Sequence, residues 1–202
     1  KMVAYAMQNG LNYFDTAYPY HDGQSEPLVG KALRDGYRER VFLATKSPVW
    51  MLHSAEDFDR ILAEQLEKLQ TDHIDYYLLH ALDRDTFENK VLRFGLIEKM
   101  KQAKAEGLVR RIGFSFHDEY EVFETIVDSC DGWDFCQIQL NYIDTQYQAG
   151  LRGLHYAAAR GLGVIIMEPL LGGRLADPPR QVKKACELFC IPLPDNAPAS
   201  KP

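Results

Sequence analysis

Four residues of this 202-residue chain have the types and settings for acid–base chemistry. Asp15 lies near the end of the apolar run NYFDTA (12–17), Lys46 closes VFLATK (41–46), and His80 closes IDYYLLH (74–80). Tyr20 follows Asp15 by five residues. A lysine ending an apolar strand is costly to bury without a partner. Asp15 is that partner if the two runs are neighbouring strands, as consecutive strands commonly are. The competing reading of Asp15 is an ordinary helix N-cap or loop carboxylate. A phenol is a weak acid at neutral pH, but an ammonium beside it stabilises the phenolate left when the proton departs. Tyr20 beside Lys46 is thus a candidate proton donor. His80, alone a satisfied histidine at a core edge, becomes in this company a donor that orients or polarises a carbonyl oxygen. Such a set protonates a developing alkoxide. The matching reaction is carbonyl reduction, with hydride from a nicotinamide cofactor.

Strands must hold these groups. Six runs read as strands: 12–17, 41–46, 74–80, RRIGFSF (110–116), FCQIQL (135–140) and GVIIMEP (163–169). They barely alternate, as in parallel strands buried on both faces. Amphipathic segments separate them at 26–36, 54–70, 96–107, 119–130 and 148–161. The second opens on Ser54 with Asp57 three positions on, close to a capping box. Strand and helix in alternation predict an α/β fold. Asp15, Lys46, His80, Ser115, Gln137 and Glu168 sit at or near the C-terminal ends of successive runs, which favours a (β/α)8 TIM barrel, whose strand ends converge on one mouth. An open sheet would use a crevice at its switch point, and no GxGxxG turn is present. The barrel is incomplete here: first and last strands are not evident, and are expected before Lys1 and after the sixth run. Residues 1–180 are read as the barrel domain and 181–202 as an irregular Pro-rich tail or discontinuous segment.

Composition narrows the classes of partner. The net charge is −6 and no Lys/Arg run forms a nucleic-acid footprint. No apolar stretch approaches the roughly 20 residues that span a bilayer. The four cysteines lack CxxC spacing, which argues against zinc and for thiols in a reducing compartment. With no signal peptide in view, a cytoplasmic location is expected, with no metal, and neither membrane nor nucleic acid as partner. The two cysteines of CELFC (186–190) do not make a cluster motif.

The stretch DTAYPYHDGQSEPLVGKAL resembles the aldo/keto reductase superfamily, in its bacterial-type predicted oxidoreductase branch: an Asp–Thr–Ala run with Tyr five residues after the Asp. FLATKSPVW is similar to that family's lysine strand and IDYYLLH to its histidine strand. The resemblance covers about 175 of the 202 residues and implies the catalytic tetrad Asp15, Tyr20, Lys46 and His80. It also implies a nicotinamide site. Ser115 fills one half of a Ser–Asn pair, Phe116 stands at the Asn position, and His117 is offered as a substitute. Gln137 takes the family's glutamine position, and Met167 the place of a stacking tyrosine, where a thioether can pack against a flat ring. Glu168 and Leu171 complete the cofactor set, in a stretch running on to LLGGRLA along the pyrophosphate. NADP(H) is expected ahead of NAD(H). Tyr18, Trp50 and the 81–90 loop are candidate walls for a small carbonyl substrate, with loop packing the competing reading. A different reading keeps the tetrad but little turnover, as a cofactor-binding regulatory or interaction subunit.

Overall fold

The six apolar runs become six parallel strands hydrogen-bonded in sequence order. The computed structural model describes residues 2–188. The strands are β1 (Tyr13–Asp15), β2 (Phe42–Ser47), β3 (Ile74–Leu82), β4 (Val109–Phe116), β5 (Phe135–Gln139) and β6 (Gly163–Met167). The helices are α1 (Met2–Gln8), α2 (Ser25–Ala32), α3 (Ala55–Leu69), α4 (Arg84–Thr86), α5 (Leu96–Ala105), α6 (Tyr120–Asp128), α7 (Gly150–Ala159) and α8 (Arg180–Leu188). Asp57 Oδ2 accepts from the backbone N–H of Ser54 at 3.2 Å, so the expected cap of α3 forms. Phe58, Ile61, Leu62 and Leu69 turn the apolar stripe of α3 to the core.

The sheet curls. Asp15 on β1 and Gln137 on β5 stand four strands apart, roughly 19 Å in a flat sheet at about 4.8 Å per strand. Gln137 Nε2 nonetheless donates to Asp15 Oδ2 at 3.5 Å. Curling creates a concave face lined by Ala44, Leu78 and Phe135, with Tyr13, Tyr76 and Ile165 against them. On this face Tyr76 meets Tyr13 (5.4 Å), Phe42 (6.0 Å) and Phe135 (5.1 Å) edge-on, the favoured geometry for ring quadrupoles. The convex face carries the main core, with Leu43, Leu79, Phe114 and Ile138 under the helices. This is an α/β half-barrel, in agreement with the expected incomplete (β/α)8 barrel. Among the described residues, β1 and β6 each pair on one side only.

Two expectations are corrected. The 81–90 segment was assigned to a loop, yet Arg84–Thr86 is helical and continues as a π-helical turn over Phe87–Leu92. Asp83 starts it, accepting the Thr86 N–H at 2.8 Å, and Phe87 and Val91 are buried beneath it. The expected irregular tail begins inside a helix, since α8 covers Arg180–Leu188. The remainder, 189–202 with Cys190, lies outside the described residues.

Candidate active site

Burial and hydrogen bonding converge on Lys46. It is 1% exposed, and its ammonium has acceptors on three sides. Nζ lies 2.7 and 2.9 Å from the two Asp15 carboxylate oxygens, and 2.9 Å from the Thr16 carbonyl. It also donates to the Tyr20 phenol oxygen at 3.3 Å. An unpartnered ammonium there would be costly, so the ion pair explains both why β1 ends in a carboxylate and why β2 tolerates a lysine. Asp15 is not a helix cap.

Tyr20 comes to Lys46 by way of a sharply folded loop. Its N–H donates to Ala17 O, and its own carbonyl accepts from Ser25 N. His21, Asp22 and Gly23 all take positive φ, at 52°, 53° and 77°. The two non-glycine members cost roughly 1 kcal/mol or more each. Such strain persists only when the surroundings impose it, and it clusters at functional sites. The result lays the Tyr20 ring over the ammonium, 4.8 Å from its centroid.

His80 reaches the same place through an irregularity in β3. The register between β3 and β4 shifts between Leu79 and Leu82, and Ala81 has φ 55°. Bulges of this kind re-aim side chains. The His80 ring stands 5.8 Å from the Tyr20 ring and 5.1 Å from that of Trp50. Burial, with the Lys46 charge and His117 adding to it, pushes the imidazole down to about 3. His80 is therefore neutral across the ordinary pH range. Below about pH 6.5 the unfolded chain takes up a proton here that the folded chain refuses. Stability should thus fall as pH drops from 6.5 toward 3, by about 1.6 kcal/mol between pH 6.5 and 5, since the slope builds to about 1.36 kcal/mol per unit only once the unfolded-state histidine is fully protonated. Urea midpoints of the protein and of His80→Gln at both pH values check this; equal pH dependence in the two would refute it.

The remaining expected residues divide. Ser115, 1% exposed, accepts the Ala81 N–H at 2.7 Å, so its oxygen braces the β3 bulge while its hydrogen stays available. Gln137 pairs in register with Ser115; its carbonyl oxygen Oε1 is buried without a partner. Met167 ends β6 half-buried, two residues beyond Ile165 and so on the concave face. Glu168 (φ 54°) follows, and after Pro169 and Leu170 comes a left-handed run of Leu171 (φ 45°), Gly172 (φ 64°) and Gly173 (φ 92°). His117, the substitute offered for the Asn that Phe116 replaces, stands with Nδ1 3.4 Å from Gln148 Nε2. Trp50 is 42% exposed at the mouth. Tyr18 is the correction: its hydroxyl donates to Glu64 at 2.9 Å and Lys68 lies 3.9 Å over its ring. Both partners belong to α3, so Tyr18 packs on the helix layer and is not a pocket wall.

Two positioning devices lay beyond sequence reasoning, the Ala81 bulge and the buried network behind Lys46 formed by Glu26, Thr45, Gln65 and Tyr77. A glutamate and a glutamine on amphipathic helices read as solvent-facing; only the bulky-free Gly30 near Glu26 was a usable signal of close packing. Among the described residues no group of His, Cys, Asp and Glu is arranged to hold a metal ion.

Fold and site together define a parallel α/β half-barrel that gathers Asp15, Tyr20, Lys46 and His80 at one mouth. The chain belongs to the aldo/keto reductase family, whose model matches residues 1–187. It is 34% identical over 147 residues to methylglyoxal reductase YeaE of Escherichia coli, covering 73% of this chain and 47% of that protein. It is 32% identical over 177 residues to human aflatoxin B1 aldehyde reductase member 4, covering 84% and 51%. Among solved structures, an aldo-keto reductase from Klebsiella pneumoniae in complex with NADPH superposes with a TM-score of 0.70 at 29% identity, covering 93% of this chain and 66% of that one. The chain thus spans about half the length of the curated relatives it matches.

The pair at the centre yields a direct expectation. Asp15→Asn keeps the shape and removes the counter-charge of a buried ammonium, so kcat should fall about 10- to 100-fold, short of full loss of a general acid. Circular dichroism should be unchanged. Undiminished kcat would show that the carboxylate does not serve the reaction.

Proposed function

We propose that this protein reduces an aldehyde or ketone to an alcohol, with NADP(H) as cofactor. The observation that carries the reading is the Lys46 ammonium held between the Asp15 carboxylate and the Tyr20 phenol oxygen. Because Tyr20 Oη accepts from Lys46, its own hydrogen is free to point into the mouth. As that proton leaves, the adjacent ammonium stabilises the growing phenolate. His80, neutral and with Nδ1 buried and unpartnered, serves as a donor through Nε2 that aligns the carbonyl oxygen beside Tyr20. Trp50 supplies an aromatic wall for the substrate.

The concave face suits a nicotinamide. The orphaned Gln137 Oε1 matches an amide N–H donor, and the free Ser115 hydrogen matches the amide oxygen. Met167 offers a soft apolar contact to a flat ring, and the left-handed run after Glu168 allows close backbone approach by a pyrophosphate. A nicotinamide bound there would supply hydride to the carbonyl carbon. The choice of NADP(H) follows the NADPH-bound Klebsiella structure. The names of the Escherichia coli and human relatives support small carbonyl compounds as substrates. A cytoplasmic location is proposed with it: Cys130 and Cys136 are free, and burial pushes the Cys136 thiol up to about 12, an unreactive form. No helix among the described residues is long and apolar enough to cross a membrane.

NADPH oxidation with a panel of small aldehydes, ketones and dicarbonyls tests the reading. Turnover dependent on the carbonyl is expected. Tight NADPH binding without turnover on any of them would replace it with a cofactor-binding regulatory role.

A further inference from the structure

Behind Lys46, on the convex side of β2, lies a buried carboxyl group that the proton-donating site does not use. Glu26 on α2 is fully buried. Its Oε1 accepts from Thr45 Oγ1 at 2.7 Å and from Gln65 Nε2 at 2.6 Å. Gln65 Nε2 also reaches the Lys46 carbonyl at 3.1 Å, while Gln65 Oε1 accepts from the Tyr77 hydroxyl at 2.7 Å. The chain of contacts therefore runs from α2 through α3 to the backbone of Lys46 itself. Glu26 Oε2 has no partner. One turn along α2, Gly30 lets the two helices close: a Cβ there would lie 2.6 Å from Lys68 O and 2.8 Å from Leu69 O. Glu26 and Gly30 share one face of α2, so the close approach and the buried carboxyl are parts of one arrangement.

We propose that Glu26 is a positioning residue for the site: as a neutral carboxylic acid it pins β2 to α2 and α3, and thereby fixes where the Lys46 ammonium meets Tyr20. Neutrality follows from the surroundings. An ionised carboxylate with an unpartnered oxygen in a dry site is costly, and burial raises Glu26 above the usual carboxylate range despite the bonds from Thr45 and Gln65. The titratable groups around it are Lys68 and Glu64 on α3, Tyr77 on β3 and Tyr18 in the loop before α2. Lys68 favours ionisation and Glu64, the smaller influence, opposes it, while burial outweighs both.

The test requires no turnover, so it stands whether or not carbonyl reduction is confirmed. The infrared spectrum of the full chain near pH 7 should carry a protonated-carboxyl C=O band that disappears in Glu26→Gln. In protein labelled with carbon-13 at the tyrosine ζ-carbon, the Tyr20 resonance, assigned with Tyr20→Phe, should be unmoved in Glu26→Gln. It should shift in Glu26→Ala and in Thr45→Val, the latter guarding against failure of the alanine variant to fold. If turnover is present, kcat should fall about tenfold in Glu26→Ala with KM for NADPH unchanged, and be restored in Glu26→Gln. Absence of the band, or an unmoved Tyr20 resonance in folded Glu26→Ala and Thr45→Val, would overturn the proposal.

Discussion

Tyr20→Phe should lower kcat by about 10²- to 10⁴-fold, the range set by loss of a positioned general acid, and leave both thermal midpoint and NADPH affinity close to those of the parent. The separation of effects follows from where the residue sits. Its ring is 38% exposed at the mouth, and its hydroxyl is held by a single donor, Lys46 Nζ at 3.3 Å. Removing one oxygen leaves no core cavity, and Lys46 keeps both Asp15 oxygens and the Thr16 carbonyl. What disappears is the hydroxyl that, on the proposed function, hands a proton to an oxygen in the mouth with an ammonium behind it. Stopped-flow NADPH oxidation with the best carbonyl of the panel, beside calorimetric melting, measures both halves. A variant as fast as the parent would remove Tyr20 from the chemistry; a variant that melts early would show it to be structural.

Gly113→Ala is the largest stability effect expected. Gly113 pairs in register with Phe135 across β4 and β5. A Cβ on it would lie 2.4 Å from the Phe135 carbonyl oxygen and 2.8 Å from the ring carbons Cδ1 and Cε1. The ring is pinned by Tyr76 at 5.1 Å, and the carbonyl belongs to the ladder, so neither yields cheaply. Overpacking of this kind costs about 3 kcal/mol or more. The damage extends to the mouth, because Ser115 and Gln137 form the pair two residues further along the same two strands. Urea unfolding of the purified variant measures it, and a loss below about 0.5 kcal/mol would mean that β4 and β5 separate more easily than their packing implies.

The pairing of Lys46 with Asp15 was legible because the lysine carries a conflict with its local setting. A lysine at the end of VFLATK demands a counter-charge, and the only strand-end carboxylate close before it is Asp15. Strand order was legible too, since six runs separated by single helices leave little but sequential parallel pairing. Direction was not. Tyr18 and Tyr20 are alike in type, yet one donates to Glu64 on α3 and the other meets Lys46, just ahead of the left-handed turn at His21 to Gly23. The Asp22–Gly23 pair signals a turn, but not which tyrosine that turn leaves beside Lys46. The 81–90 segment reads as a loop in the sequence because the π-helical turn that begins at Phe87 lacks the 3.6-residue period by which helices are recognised. Glu26 and Gln65 were hidden for a simpler reason: each is polar on an amphipathic helix, and only the facing helix decides that they are inside.

The tie between Ser115 and Ala81 has a bearing on engineering. The segment Asp83–Gly95 follows it directly and is tied through Lys90 to the Leu52 carbonyl, two residues from Trp50, so on the proposed function it is the cassette to exchange when altering which carbonyl compound is accepted. The junction for such a graft should fall after Leu82, not after His80. A donor segment spliced at His80 would bring its own residue to the left-handed position, and the backbone N–H would still reach Ser115 only if that residue kept the positive φ of Ala81. His80 would then be present in the sequence yet misaimed. Retaining residues 80–82 together with Ser115 makes the graft modular, because the aim of the imidazole is set by β3 and β4 and is independent of the segment that follows.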